Sequence, residues 1–214
     1  MDVMKTDLSK LTKSDSLVKK NVVFVMPFIN EVECNRALDI LEARSAYSDA
    51  AILAVHDTDR VGFISVANAV YRRTCSKYFG YLASDVFPSR NWLNFSMQLF
   101  SKTDIGLLAY NDGKWFGRLA SFGLADRSWI SQYESHDFFH SGYHSHYADT
   151  EMSALASATG KLGYNANIVM MEIDFEKDKK SVNLEDKILY ANRMKQFISH
   201  NSNWQNPKAF MEFR

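Results

Sequence analysis

The chain has 214 residues, 46% of them hydrophobic and 23% charged, enough for one substantial core but short for two full domains. Its 25 basic and 25 acidic side chains cancel, so no global field draws it to nucleic acid or to an anionic membrane surface. The cysteines, Cys34 and Cys75, have no metal-type spacing and fit reduced side chains of a cytoplasmic protein; the longest apolar run, 22–29, is too short to span a bilayer.

Residues 1–20 are rich in Lys, Ser and Asp, with no apolar signal core. They read as a polar, peripheral arm with one helical turn near Leu8 to Leu11, ahead of a single domain over 21–214. The run 21–28 is continuously β-branched and aromatic, the pattern of a strand buried on both faces, with Pro27 tolerated near its end. Over 31–44, Cys34, Leu38 and Leu41 have helical spacing. A second buried strand covers 51–55 and closes on the polar turn His56-Asp57-Thr58-Asp59. Helical spacing returns over 63–79 through Phe63, Ala67, Val70 and Tyr78, and a third strand, 81–83, runs out to Ser84-Asp85. This βαβαβ order predicts parallel strands with right-handed crossovers. The fold class expected is therefore α/β: one Rossmann-like domain with a mostly parallel central sheet flanked by helices.

The second half is harder to read. A fourth strand covers 105–110, and a long aromatic and polar stretch, 111–147, follows. Residues 150–162 read as a helix, and 168–175 as a half-exposed strand with Val169, Met171, Ile173 and Phe175 on one face. Leu184, Ile188, Ala191 and Ile198 mark a C-terminal helix.

Three strand ends, at Asn30, at Asp57 and at Asp85, converge on one crevice if the sheet is doubly wound, which is where open α/β sheets bind ligands. Neither of the glycine-rich phosphate loops, G-x-G-x-x-G or G-x-x-x-x-G-K-[ST], follows the first strand, which argues against dinucleotide oxidoreductases and P-loop enzymes. A nucleotide bound without such a loop needs its diphosphate charge neutralised otherwise, most simply by a cation on a carboxylate. Asp85 is the carboxylate in place for that role. The bland alternative is that Asp85 only caps the following turn.

The segments Val25-Met26-Pro27-Phe28-Ile29-Asn30-Glu31, Val55-His56-Asp57-Thr58-Asp59, Val66-Ala67-Asn68-Ala69, Ala83-Ser84-Asp85 and Tyr147-Ala148-Asp149-Thr150-Glu151-Met152 occur in that order. Together they resemble the motifs of the GT-A-fold, nucleotide-sugar-dependent glycosyltransferases over 21–164. The resemblance implies a GT-A-like fold and a metal-dependent transfer of a hexose from a UDP-sugar donor to a saccharide acceptor. It implies donor contacts at Pro27, Phe28, Ile29, Asn30, Asp57, Asn68, Ser84 and Asp85. It also implies Mn2+ or Mg2+ on Asp85, in the place of the family's Asp-x-Asp, with His146 or His144 within reach. Two departures stand out: Ala83 replaces the first acid of that motif, and Ile29 replaces a base-stacking aromatic. Asp149, with Glu151 as second choice, is the expected catalytic acid, acting as base toward the acceptor hydroxyl if the outcome is inversion. Arg60, Arg72 and Lys114 are candidate partners for the departing diphosphate, and Trp115 a platform for an acceptor sugar. Asp149 could alternatively be a plain N-cap.

A rival reading starts from the histidines. His136, His140, His144 and His146 crowd one segment beside Asp137 and Asp149, a composition compatible with a zinc or iron metallohydrolase, although no His-Glu-x-x-His helix is present. His200 is a further metal or phosphate candidate. A third reading, a non-catalytic sugar- or nucleotide-binding module, follows from the acid missing at Ala83.

Overall fold

The computed structural model describes residues 1–11, 19–134, 136–173 and 183–200, the last without its side chain. The elements run in the order β1 Asp2–Asp7, β2 Val22–Phe28, α1 Glu31–Ser45, β3 Ala50–His56, α2 Phe63–Tyr71, β4 Tyr78–Tyr81, β5 Val86–Pro88, α3 Trp92–Lys102, β6 Leu107–Asn111, β7 Gly123–Asp126, α4 Arg127–Ile130, α5 Ala148–Ala158, β8 Leu162–Glu172 and α6 Leu184–His200. Among the described residues the strands form one eight-stranded sheet in the order β1-β3-β2-β4-β7-β6-β8-β5.

Neighbours β1, β3, β2 and β4 are parallel, as are β6 and β8. β7 runs antiparallel to both β4 and β6, and β5 antiparallel to β8. The sheet is therefore mixed, which corrects the expectation of a mostly parallel one. Parallel order holds only where β-α-β crossovers separate the strands; β7 reaches its place after a loop and closes the ladder in the opposite sense.

Side-chain alternation divides the core into two layers. Val22, Phe24 and Met26 of β2 face Cys34, Leu38 and Leu41 of α1 and Trp92 and Leu93 of α3. Val23 and Val25 face the other way, toward α2 and α5. β2 and β3 are thus buried on both faces, which explains their unbroken apolar sequences. Gly80 is forced by this packing: a Cβ there would lie 2.1 Å from the Phe24 ring, its register partner on β2.

Two local assignments differ from expectation. The helix expected over 63–79 stops at Tyr71, and Tyr78 and Phe79 belong to β4. Past the helix end, Thr74 turns its hydroxyl back to the carbonyls of Val70 and Tyr71, satisfying groups that a continued helix would have used. The polar N-terminal stretch is ordered as strand β1 over Asp2–Asp7, followed by a 3-10 turn at Leu8–Lys10. Residues 174–175 of the expected strand 168–175 lie outside the described residues, as do the tail beyond residue 200 and the side chain of His200.

Candidate functional site

The carboxyl ends of β2, β3 and β4 lie side by side, with Phe28 in register with His56 and Leu82 N–H donating to the Val25 carbonyl. Residues 82–85 therefore leave the sheet beside the end of β2, bringing Asn30, Asp57 and Asp85 to one edge of the molecule. At that edge Phe28 is buried and stacks on His56, with centroids 4.9 Å apart and planes 7° apart. Ile29 is 55% exposed, and Pro27 is half-buried.

Several of the candidate side chains have structural work. Asn30 is the N-cap of α1: its Oδ1 accepts from the N–H groups of Val32 and Glu33, and its Nδ2 donates to Glu33 Oε1 at 3.0 Å. Asp57 is buried and accepts from Val61 N–H on one oxygen and Gly62 N–H on the other, both at 2.9 Å. It fastens the turn that leads into α2, where Gly62 takes φ +93°. Asn68 is also buried: its Oδ1 accepts from the N–H groups of Phe138 and Phe139, and its Nδ2 donates to the Phe139 carbonyl. Through Asn68, α2 holds the start of the aromatic segment that leads to α5.

Ser84 and Asp85 are half-buried and line a cleft of about 200 Å³ with Glu33, Arg36 and Ile40 of α1. The Asp85 carbonyl accepts from Ile173 N–H at 3.0 Å, which binds this segment to the end of β8.

Asp149 and Glu151 stand in the first turn of α5, whose N-cap is Tyr147 rather than Asp149. Asp149 is half-buried and accepts from Thr150 N–H at 2.8 Å. Its charge reaches Tyr81 at the end of β4: burial first, then the Asp149 carboxylate, holds that phenol protonated well above its usual range. Burial, then Glu151, Tyr147 and Asp149, does the same to Tyr190 of α6. Asp149 thus lies near Tyr81, the last residue of β4. Glu151 points elsewhere. Its buried carboxylate is gripped by Arg193 Nε and Nη2 at 2.8–2.9 Å and accepts the Tyr143 hydroxyl. Arg193 also bonds Glu134 at 2.7 Å. Burial lifts the Glu134 carboxyl above its usual range, against the pull of Arg193 and His140.

The histidines do not assemble with acids into a metal cage: among the described residues no group of three or more His, Cys, Asp or Glu side chains could hold an ion. His146 Nδ1 lies 2.8 Å from Ser145 Oγ, His140 lies beside Glu134, and His136 is exposed. The metallohydrolase reading therefore has no geometric support within these residues. Of the cationic candidates, Arg72 is paired with Asp137, Arg60 is exposed in the turn after Asp57, and Lys114 sits 5.6 Å over the half-buried Trp115 ring.

Four participants lie outside the sequence reading. Arg193, which commits Glu151, and Asp186, which holds the backbone before α5, lie on α6, more than thirty residues from their partners. Glu33 and Arg36, by contrast, carried a readable signal, since with Ala37 and Ile40 they repeat at i, i+3, i+4 and i+7 along one helical face.

No family model matches the chain, and no curated protein matches it in sequence. A comparison with solved structures does find matches. A mannosyltransferase from Pyrobaculum calidifontis, solved in complex with GDP-Man and Mn2+, superposes with a TM-score of 0.53 at 14% identity, over 91% of this chain and 74% of its own. A glycosyltransferase involved in the glycosylation of the major capsid of PBCV-1 gives a TM-score of 0.43 at 9% identity, over 79% of this chain and 98% of its own. The chain accordingly has the fold of that mannosyltransferase.

Proposed function

We propose that the protein is a glycosyltransferase that moves a hexose from a nucleoside-diphosphate sugar, UDP-linked by the motif resemblance, to a saccharide acceptor. The observation that carries this reading is Asp85, at the carboxyl edge of the parallel strands beside an open cleft, in a fold shared with a GDP-mannose-bound transferase. GT-A architecture, with donor contacts at the Phe28 to Asn30, Asp57, Asn68 and Ser84 to Asp85 segments, belongs to the same proposal. The compact size and the Ala83-Ser84-Asp85 variant also resemble the N-terminal glycosyltransferase domain of a large chlorella-virus protein. Among the described residues no helix is long and apolar enough to cross a membrane, and we place the reaction in the cytoplasm.

The described residues do not fit a resident divalent ion held by the protein alone. Asp85 supplies one carboxylate, which suits an ion that arrives with the donor diphosphate, as Mn2+ or Mg2+, and is counted as part of that substrate. Bound with the diphosphate, such an ion would supply neutralisation of its charge. The chain's own residues do the rest. Asp57 and Asn68 hold the two loops that flank the site through the backbone bonds described above. For an inverting outcome, Asp149 accepts the proton of the acceptor hydroxyl as its oxygen bonds the anomeric carbon and the bond from that carbon to the diphosphate oxygen breaks; for a retaining one it orients the acceptor or stabilises the sugar cation. Glu151, locked by Arg193, fixes the first turn of α5 and so the position of Asp149.

Calorimetry of UDP and of GDP, each with and without Mn2+, tests the proposal. Metal-linked binding of one nucleotide, weakened about tenfold or more by Asp85→Ala, is the expected result. Equal titrations with and without the ion, or no nucleotide binding at all, would overturn it. Donor hydrolysis across a panel of nucleotide sugars then identifies the sugar.

A further inference from the structure

The cleft beside Asp85 has a second wall whose chemistry differs from that of a phosphate site. The exposed side chains of Glu33 and Arg36 of α1 line it together with Asp85, and Ala37, Ile40, Val86 and Ile173 supply its apolar lining. The lining thus carries two carboxylates and one guanidinium, a charge balance that disfavours a free anion. Arg36 makes no hydrogen bond or ion pair with any described residue, so its donors are available to a ligand. Glu33 is already oriented, because Asn30 Nδ2 donates to its Oε1 at 3.0 Å. Carboxylates that accept and a guanidinium that donates, together with an apolar lining, match a ring with hydroxyls on its edge and C–H groups on its face. The volume, about 200 Å³, suits a single ring rather than a chain.

We propose that the cleft between α1 and residues 84–86 is a binding subsite for one neutral pyranose ring, with Arg36 and Glu33 as the residues that grip its hydroxyls. The origin of the ring, and only its origin, rests on the glycosyl-transfer reading: it is either the sugar being transferred or a unit of the acceptor.

The test uses the full chain with 13C-labelled isoleucine methyls. Methyl glucoside, mannoside, galactoside and xyloside are titrated one at a time, following Ile40 and Ile173 in the cleft and Ile188 on α6 as an exposed reference. Saturable shifts at Ile40 and Ile173 but not at Ile188, with at least one pyranoside, are expected. Arg36→Ala and Glu33→Gln, both at exposed helix positions, should each weaken that pyranoside roughly tenfold. A nucleotide sugar that displaces the pyranoside assigns the ring to the donor, and joint binding of nucleotide and pyranoside assigns it to the acceptor. The subsite is refuted if no pyranoside moves the two methyls, if inorganic phosphate moves them as strongly, or if both variants bind like the parent. Pyranoside binding in a protein that binds no nucleotide would remove the glycosyltransferase proposal while leaving the subsite intact.

Discussion

Asp149 and Glu151 are two residues apart on the same turn, and their surroundings give them opposite tasks. Glu151 has its lone pairs taken by Arg193 and Tyr143 inside the core, so its removal should act on folding. Breaking one side of a buried ion pair costs about 3–5 kcal/mol, and Glu151→Gln should lower the Tm markedly because Arg193 keeps its charge without a full partner. Asp149→Asn should leave the Tm near that of the parent and reduce donor-to-acceptor turnover by about a hundredfold or more. Thermal melts and turnover measured on the same two preparations check the split. If Asp149→Asn melts early and retains its rate, the assignment of roles is reversed.

At the scale of elements, α6 is the clasp for the loop ahead of α5. Asp186, fully buried, accepts from the N–H groups of His144, Ser145 and His146 at 2.8–2.9 Å, while Arg193, two turns on, holds Glu151 and Glu134. Asp186→Ala leaves three backbone donors without their acceptor, a cost of about 3 kcal/mol or more. Hydrogen exchange should show protection lost first at 144–146; unchanged exchange there would mean that the clasp is held by other contacts. Nothing local in the sequence announces this pairing, because it joins residues forty positions apart. The legible elements were those whose period is set by burial: β2, α1 and β3 follow directly from the Val22–Phe28, Cys34/Leu38/Leu41 and Ala50–His56 patterns. α3 carries a legible period as well, since Trp92, Ser96 and Phe100 recur every four residues on its buried side. β1, β5 and β7 were not readable: they are short or polar, and they gain their conformation from neighbouring strands. The Asp85 position was legible because strand ends are, whereas the occupied states of Asp57 and Asn68 depend on backbone groups that sequence does not place.

At the scale of the molecule, the acid limb of stability follows from the same contacts. Burial alone would raise the Asp186 carboxyl, but the three backbone N–H groups outweigh it and hold the pKa below the ordinary 3.8. A depressed carboxyl contributes stability above its unfolded value and loses it as pH falls through the folded one. Glu134 runs the other way: its raised carboxyl takes up a proton in the folded state first, so stability does not fall as that group protonates. Urea midpoints should therefore hold from neutrality down to about pH 4 and drop below it. Asp186→Asn should start lower and lose that steep limb; an unchanged acid limb in the variant would show that other carboxylates set it.

The strand β1 has a practical consequence for handling the protein. Asp2 pairs with Ala51 and Asp7 with His56, so the chain enters at the amino ends of the parallel strands and runs toward the edge that carries Asp85. Anything joined ahead of Met1, such as an affinity tag, a surface linker or a fluorophore, emerges about one strand length, roughly 20 Å, behind the edge that carries Asp85. Immobilisation through that end should leave the Asp85 edge open to solvent.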